Sequence, residues 1–225
     1  MKEECRPDEK GDIMKVRLFQ EVADQLGARQ GWKAGEGDRV LVNPKMGAVV
    51  HVAMCNDDGT PLWDQFLHFE PIGAVTVPIN LKGEFGMVRV YRPTIRPDAV
   101  YDFSDIDATI ERLGATSVEF PRGFPKKGER VDQTARREGE EELNSPILEV
   151  RQLGEITPNT TFHPHRIPVF GIKVDERYAG ALPPDVNEKI LKVTWMSPEQ
   201  IRECVAQGEI NCGMTLAALC LAQNG

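Results

Sequence analysis

The chain has 225 residues, of which 40% are hydrophobic, and this suffices for one large domain or for a domain with an added subdomain. Its formal net charge is −8 and its pI is about 5.2, a balance that argues against a surface for duplex nucleic acid or for anionic membranes. No run of about eighteen apolar residues is present, so we expect no membrane span.

Cysteine usage indicates a reducing compartment. The five cysteines are odd in number, show no C-x-x-C spacing and follow no apolar signal segment. We therefore expect neither a disulfide framework nor a structural zinc site made of cysteines, and buried or free thiols are the simpler interpretation. These features predict a cytoplasmic protein.

The first third of the chain, residues 1–71, is predicted to be a small, strand-rich extension. Apolar residues fall at three- and four-residue steps from Ile13 to Leu26, which predicts an amphipathic helix that ends near Gly27. The "NDDG" at 56–59 predicts a turn. Three segments around it have the composition of strands: 39–44, 47–55 and 61–69.

The rest of the chain, residues 72–225, alternates strand-like runs with a few helices. "GAVTVPINLKGEFGMVRVYRP" predicts a strand pair, and further strands are predicted at "ILEVRQLGEI", "IPVFGIKV" and "ILKVTWM". Ser197 as N-cap, Pro198 at the first helical position and Gly208 beyond the last turn delimit one helix. A closing helix is predicted from Met214 to about Ala222. This order of elements indicates an α/β or α+β sandwich.

The glutamate-rich segment before residue 145 carries the strongest chemical signal. If residues 131–143 are helical, small or apolar residues recur every four positions and form an inward stripe: Val131, Ala135, Gly139 and Leu143. Three carboxylates then share an arc of roughly 100° beside that stripe: Glu138, Glu141 and Glu142. Because like charges at this spacing repel, a hard cation such as Mg²⁺ or Mn²⁺ is the natural counter-charge. A solvated helix face is the alternative.

The spacing of these residues favours a functional site. Six positions hold one register: Gly123, Glu129, Arg137, Glu138, Glu141 and Glu142. At average residue usage, this register would arise by chance on the order of 10⁻⁷ times per starting position. The segment resembles the box of the Nudix hydrolase family, G-x5-E-x7-R-E-U-x-E-E-x-G-U with U apolar. It departs from the box at three sites: Gly139, Asn144 and Ser145.

Two of these departures have a physical reading. Asn144 tolerates the left-handed backbone conformation that ends a helix, so it can replace the usual glycine. Gly139 costs the helix about 1 kcal/mol relative to alanine but allows closer packing against a sheet. Neither departure removes a candidate metal ligand.

The resemblance extends beyond the box. "EFPRG" at 119–123 is similar to the E-x-P-x-G opening of the ADP-ribose pyrophosphatase branch, and the chain from Val193 onward is similar to that branch's closing strand and helices. The resemblance implies a Nudix-type α/β/α sandwich with a mixed sheet for residues 72–225. It also implies hydrolysis of nucleoside diphosphates that are linked to another group X.

The resemblance further implies roles for the matching residues. Glu138 and Glu142 would be the principal ligands of Mg²⁺ or Mn²⁺, beside the backbone carbonyl of Arg122, with Glu141 as a further ligand or the general base. Glu188, in "DVNEKILKVTW", is the other candidate base, and a surface glutamate is the alternative for it. Three residues would orient the box rather than touch substrate: Gly123, Glu129 and Arg137.

Residues that bind the rest of the substrate are less clearly marked. Arg92 resembles a strand-end arginine of the branch and can bind a phosphate, with a structural role as the alternative. Trp63 and Phe66 are candidates to stack on an adenine across a homodimer interface, with a place in the core as the alternative. His163 and His165 suggest a metal site, but without a third ligand nearby they are interpreted as loop residues.

These observations order the functional hypotheses. The first is a Mg²⁺-dependent pyrophosphatase that acts on ADP-ribose or a related sugar nucleotide, because small Nudix members that act on triphosphates generally lack an extension of seventy residues. The second is a Nudix hydrolase for a dinucleoside polyphosphate or a modified nucleoside triphosphate. A non-catalytic nucleotide sensor is disfavoured, since a pure binder has no need to keep three mutually repelling carboxylates. A scaffold that uses the predicted N-terminal helix remains the non-nucleotide alternative.

Overall fold

The computed structural model describes residues 15–18, 41–43, 47–95, 113–178 and 190–224. The chain divides into two compact units. The first consists of Met1–Pro71 together with Asn159–His165, and the second consists of Ile72–Pro158 together with Arg166–Gly225. The second segment of the first unit comes from a loop between two strands of the second.

The first unit is built on an antiparallel sheet of four strands. These are β1 (Lys15–Leu18), β2 (Leu41–Asn43), β3 (Gly47–Cys55) and β4 (Pro61–Phe69). Strand β3 is central, because β4 pairs along one edge of it while β1 and β2 pair with different halves of the other edge. The predicted turn between β3 and β4 is confirmed, with Gly59 in the left-handed region at φ 88°.

The predicted N-terminal helix is wrong where it can be compared. Residues Lys15–Leu18 form strand β1, whose backbone pairs with Val52–Cys55 of β3. A strand on the edge of a sheet draws its hydrogen bonds from a distant segment, which the periodicity of a short window does not reveal. The rest of the predicted helix, residues 19–26, lies outside the described residues.

The second unit contains a mixed sheet of seven strands. Its central order is β11-β6-β5-β10-β9, with β7 paired to β6 and β8 paired to β5. Strands β5 and β10 run parallel, and the other pairs described in this sheet are antiparallel. The strands are β5 (Ala74–Asn80), β6 (Phe85–Ile95), β7 (Leu113–Glu119), β8 (Arg122–Gly123), β9 (Ile147–Ile156), β10 (Ile167–Val174) and β11 (Ile190–Met196).

Three α-helices of this unit lie where the sequence predicts them. They are α1 (Val131–Leu143), α2 (Pro198–Ala206) and α3 (Gly213–Asn224), and a short 3-10 turn covers Glu176–Tyr178. The predicted cap of α2 is confirmed, because the Ser197 hydroxyl accepts from the Gln200 N–H at 3.3 Å. Gly208 lies in the left-handed region at φ 77°, just beyond the helix.

The helices cover both faces of the sheet. One apolar cluster joins the sheet to α2 and α3 through Ile201 and Leu219, and a second joins it to α1 through Ala135 and Leu143. Successive residues of a strand point to opposite faces, and the neighbours Val169 and Phe170 of β10 accordingly fall in different clusters. This confirms the predicted α/β/α sandwich with a mixed sheet.

No helix in the described ranges is long and apolar enough to cross a membrane. Three cysteines in those ranges are free thiols: Cys55, Cys204 and Cys212.

Candidate active site

Helix α1 packs closely on the sheet because Gly139 has no side chain. A Cβ atom there would lie 2.5 Å from Cδ1 of Ile172 on β10 and 3.3 Å from Cδ1 of Ile147 on β9. Both isoleucines belong to the buried cluster beneath the helix. The departure of Gly139 from the Nudix pattern therefore lets the helix backbone approach the sheet, as the sequence suggested.

Helix α1 ends at Asn144, which adopts the left-handed conformation with φ 50° and ψ 43°. This is the backbone conformation that a glycine at the same position supplies most easily. The second departure from the pattern thus preserves the geometry of the helix end.

The burial of α1 brings two carboxylates to the edge of the core. Glu138 is 9% exposed and Glu142 is 5% exposed, while the side chain of Glu141 is 28% exposed. Oε1 of Glu142 accepts a hydrogen bond from the backbone N–H of Arg122 at 3.1 Å. The acidic face of the helix is therefore turned toward β8 and is largely removed from water.

Gly123 on β8 leaves the room that Glu138 occupies. A Cβ atom at Gly123 would lie 2.2 Å from the carboxylate carbon of Glu138 and 2.2 Å from its Oε1. Such a distance is far below a normal carbon–carbon contact of about 3.5 Å. A side chain of any size at this position would push the Glu138 carboxylate away.

Arg137 ties the acidic groups together. Its Nε and Nη2 form a two-pronged contact with Oε1 and Oε2 of Glu129, at 2.9 Å each. Its Nη1 lies 2.7 Å from Glu138 Oε1 and 2.8 Å from Glu141 Oε2, and its Nη2 donates to the carbonyl oxygen of Phe124 at 2.9 Å. The predicted pairing of Arg137 with Glu129 is thus present, in the bidentate geometry that makes such contacts strong.

This pairing shifts the titration of both groups. The hydrogen bonds from Arg137 lower the pKa of Glu129 to about 2, against an opposing effect of burial. The same contacts raise the pKa of Arg137 above its usual value. Glu129 is held further by the Lys126 N–H at 2.8 Å and the Thr134 hydroxyl at 3.2 Å. Glu129 is therefore an ionised anchor for Arg137.

Two more arginines meet a buried carboxylate near β8. Oε2 of Glu119, which is 3% exposed, lies 3.1 Å from Nη2 of Arg92 and 3.2 Å from Nη2 of Arg122. Two guanidinium groups around one carboxylate leave a net positive charge. Glu119 is the first residue of "EFPRG", and no local pattern in the sequence marks it as a partner of Arg92.

The segment that contains these residues matches a known protein family. The family model described as NUDIX domain matches residues 108–212, a range that contains β8, α1 and every residue of the box. This part of the chain is therefore similar to a NUDIX domain. No curated sequence matches the chain.

A similar fold is also found among solved structures. One similar structure is titled "Crystal structure of ADP compounds hydrolase", with a TM-score of 0.58 and 14% sequence identity. The match covers 86% of this chain and 96% of that chain. At this identity the similarity establishes a shared fold.

The acidic face of the NUDIX domain suits a divalent cation. Carboxylate oxygens are the ligands that Mg²⁺ and Mn²⁺ prefer. The box supplies four carboxylates, and two cations touch some of them: Arg137, and Lys126, whose Nζ lies 3.1 Å from Glu141 Oε1. Together with the space at Gly123, this donor set fits the metal that the family implies.

The remaining predicted residues lie elsewhere or outside the described part. Glu188 lies outside the described residues. Trp63 and Phe66 belong to β4 of the first unit, are each 42% exposed and so do not lie in the core, and Phe66 stacks on the His51 ring at a centroid distance of 4.4 Å.

The histidines of the 159–165 loop have more partners than the sequence suggested. His163 forms a group of three possible metal ligands with His68 and Glu70, and His165 is not one of the three. Burial lowers the pKa of His163 from its usual value, so its imidazole favours the neutral form. No local pattern linked these residues, because they lie 95 positions apart in the chain.

Proposed function

We propose that the chain hydrolyses the pyrophosphate linkage of a nucleoside diphosphate joined to a group X, and that it depends on a divalent metal for this reaction. ADP-ribose or a related sugar nucleotide is the proposed substrate, giving AMP and a sugar phosphate. The observation that carries the proposal is the pair of buried carboxylates, Glu138 and Glu142, set against a glycine whose missing Cβ makes room for one of them. At the family level, the NUDIX match supports a hydrolase of pyrophosphate bonds.

Glu138 and Glu142 would hold Mg²⁺ or Mn²⁺, with the backbone carbonyl of Arg122 as a further ligand. When bound by these residues, a divalent ion would neutralise and orient the pyrophosphate and would lower the pKa of an attacking water. Arg137 keeps Glu138 and Glu141 in place and is itself held by Glu129. In this proposal Arg137 and Glu129 position the metal ligands and do not contact the substrate themselves.

Glu141 is the leading candidate for the general base. It is the most exposed of the three helix carboxylates, so a water molecule can reach it. Glu188 remains the alternative base. In hydrolysis, the water oxygen bonds to one phosphorus, the bond from that phosphorus to the bridging oxygen breaks, and the base receives a proton from the water.

The arginines around Glu119 are proposed to meet the phosphates. Arg92 already pairs with Glu119. If Arg92 binds a phosphate, the role of Glu119 is to position the guanidinium group. The second guanidinium, from Arg122, leaves the pair with a positive charge for an anion. Trp63 and Phe66 are proposed to stack on the adenine in a homodimer, and their exposure is consistent with that role.

A substrate panel tests the proposal. The substrates are ADP-ribose, other sugar nucleotides, dinucleoside polyphosphates and modified nucleoside triphosphates. Release of AMP, sugar phosphates and other nucleotides would be measured for each of them, with and without Mg²⁺. The proposal expects metal-dependent release of AMP from ADP-ribose. Cleavage of another compound would mean that ADP-ribose is not the substrate, while the proposed hydrolysis of a pyrophosphate linkage would stand. Tight binding without cleavage of any compound would favour the sensor instead.

The cellular setting belongs to the same proposal. The acidic composition and the odd number of cysteines support a cytoplasmic enzyme that acts on a small nucleotide. Size measurement in solution tests the proposed homodimer.

A further inference from the structure

The first unit contains a cluster of imidazole and carboxylate groups that the proposed hydrolysis does not use. His68 lies near the end of β4, and Glu70 follows two residues later. His163 comes from the Asn159–His165 segment of the same unit. One donor atom from each of these three residues lies within 4.8 Å of the other two. Their convergence brings together ligands from two distant parts of the chain.

We propose that His68, Glu70 and His163 bind a transition-metal ion, Zn²⁺ in the first place, at a site that is separate from the carboxylates of the NUDIX domain. The site fastens the Asn159–His165 segment to strand β4. It is independent of the proposed hydrolysis, since its three ligands lie in the first unit and the box lies in the second.

The spacing of the donor atoms suits a tetrahedral ion. Nδ1 of His68 lies 3.2 Å from Nε2 of His163. Two nitrogens bound to Zn²⁺ at 2.0–2.1 Å with tetrahedral angles lie about 3.3 Å apart. The two rings therefore need little movement to share an ion. Three protein ligands leave one position of a tetrahedron for water.

A hydrogen bond between two neutral imidazoles accounts for part of this geometry but not for the whole cluster. In the described residues, Nδ1 of His163 and Nδ1 of His165 are both buried and have no hydrogen-bond partner. Buried polar atoms are ordinarily satisfied by protein, by water or by an ion. A cluster with two such nitrogens is incomplete as a set of protein contacts alone.

The surroundings hold the ligands in place. Nε2 of His165 lies 3.3 Å from Oε1 of Glu70, an arrangement by which a second imidazole orients a ligating carboxylate. The Phe162 ring stacks on His68 at 5.7 Å and meets the edge of His163 at 4.9 Å, which gives the site an apolar wall. The backbone N–H of His68 also donates to the backbone carbonyl oxygen of Phe162 at 2.7 Å.

The segment that carries His163 is ordered by its own hydrogen bonds. The backbone carbonyl of Asn159 accepts from the N–H groups of Phe162 and His163, at 3.2 and 2.7 Å. The Asn159 side chain accepts from the Thr161 N–H at 2.9 Å and from its hydroxyl at 2.7 Å. His163 is therefore presented by a turn whose shape does not depend on the metal.

The donor set also distinguishes this ion from the one at the NUDIX box. Imidazole suits zinc and its transition-metal neighbours, whereas Mg²⁺ takes oxygen ligands. Only one of the three ligands is charged, so the site does not gather the negative charge that a hard cation requires. Excess Mg²⁺ should therefore leave Zn²⁺ bound here.

Metal binding by the full chain tests the proposal without any measurement of activity. The chain is stripped with EDTA and dialysed, and Zn²⁺ binding is measured by competition with a chromophoric chelator in excess Mg²⁺. Co²⁺ is then used as a spectroscopic probe, because a tetrahedral nitrogen and oxygen site gives visible d–d absorption without a strong thiolate band. We expect one Zn²⁺ per chain and a Co²⁺ spectrum without thiolate character.

Variants assign the ligands. His163→Gln should weaken Zn²⁺ binding at least about a hundredfold and abolish the Co²⁺ spectrum, and His165→Gln should weaken binding about tenfold because it acts through Glu70. His51→Gln is the matched control, because His51 pairs with Asp64 at 2.7 Å and is not one of the three ligands. It should leave the affinity unchanged. Circular dichroism checks folding, and Glu70→Gln replaces His163→Gln if that variant does not fold.

The outcomes separate the two metal sites. Glu142→Gln should retain Zn²⁺ binding even if it abolishes hydrolysis, and failure of the hydrolysis proposal would leave this result unchanged. Unaltered Zn²⁺ affinity in both His163→Gln and Glu70→Gln would overturn the site. Loss of Zn²⁺ binding in Glu142→Gln, or a thiolate band in the Co²⁺ spectrum, would overturn it as well.

Discussion

Substitution of Gly123 by alanine is the sharpest single test of the carboxylate site. The new Cβ would lie 2.2 Å from the carboxylate carbon of Glu138, whereas a carbon–carbon contact needs about 3.5 Å. The carboxylate must therefore move by about 1.3 Å, against its contact with Arg137 at 2.7 Å. A displacement of about 1 Å from productive geometry can lower a rate about a hundredfold.

We therefore expect Gly123→Ala to lower kcat at least about a hundredfold, which corresponds to about 2.7 kcal/mol of transition-state stabilisation. The assay is AMP release at saturating Mg²⁺, with the substrate that the panel identifies. Thermal unfolding with and without Mg²⁺ measures metal binding separately, and Mg²⁺ should stabilise the variant less than the parent.

A second glycine supplies the control for this substitution. Gly213 opens helix α3, and a Cβ atom there would meet no heavy atom within 4 Å. Gly213→Ala should keep full turnover. If folded Gly123→Ala had the kcat and the Mg²⁺ response of the parent, the proposed placement of the metal against Glu138 would be wrong.

Three further predictions follow from the same helix. Glu142→Gln should keep the fold, lose most turnover and lose stabilisation by Mg²⁺ in thermal unfolding, and normal turnover would contradict its role as a ligand. The pKa of Glu129 is about 2 when folded and 4.5 as a free group, so its pairing with Arg137 stabilises the fold above about pH 4.5 and is lost as the pH falls toward 2. Urea unfolding across this range should show a smaller pH dependence in Glu129→Gln, and an equal dependence would contradict the pairing. Gly139→Ala gains about 1 kcal/mol in helix propensity but overpacks Ile172, which typically costs 1–3 kcal/mol, so we expect a net loss of about 1 kcal/mol in unfolding free energy. A more stable variant would show that the helix can move off the sheet.

Local patterns in the sequence predicted most elements of the NUDIX domain. Helix α1 covers the predicted residues, and the Ser197 cap and the strands β9, β10 and β11 lie where their composition placed them. These features are encoded within short windows, since helix periodicity, strand composition and cap chemistry each depend on neighbouring residues. The spacing of the box likewise identified the acidic face before any coordinate was known.

Contacts between distant segments were decided by the tertiary structure alone. Lys15–Leu18 became a strand because β3 offers hydrogen-bonding partners at its edge. Glu119 pairs with Arg92 only because β7 lies beside β6. The requirement for glycine at position 139 also depends on a distant residue, because Ile172 lies directly beneath it.

The amino-acid sequence by itself determined the helix and its acidic face, because residues three and four positions apart share one side of a helix. Only the tertiary structure decided that Gly123 faces Glu138 and that His163 meets His68. The physical reason is the same in both cases. The chain must fold before residues far apart in sequence become neighbours, and no local pattern records which of them will meet.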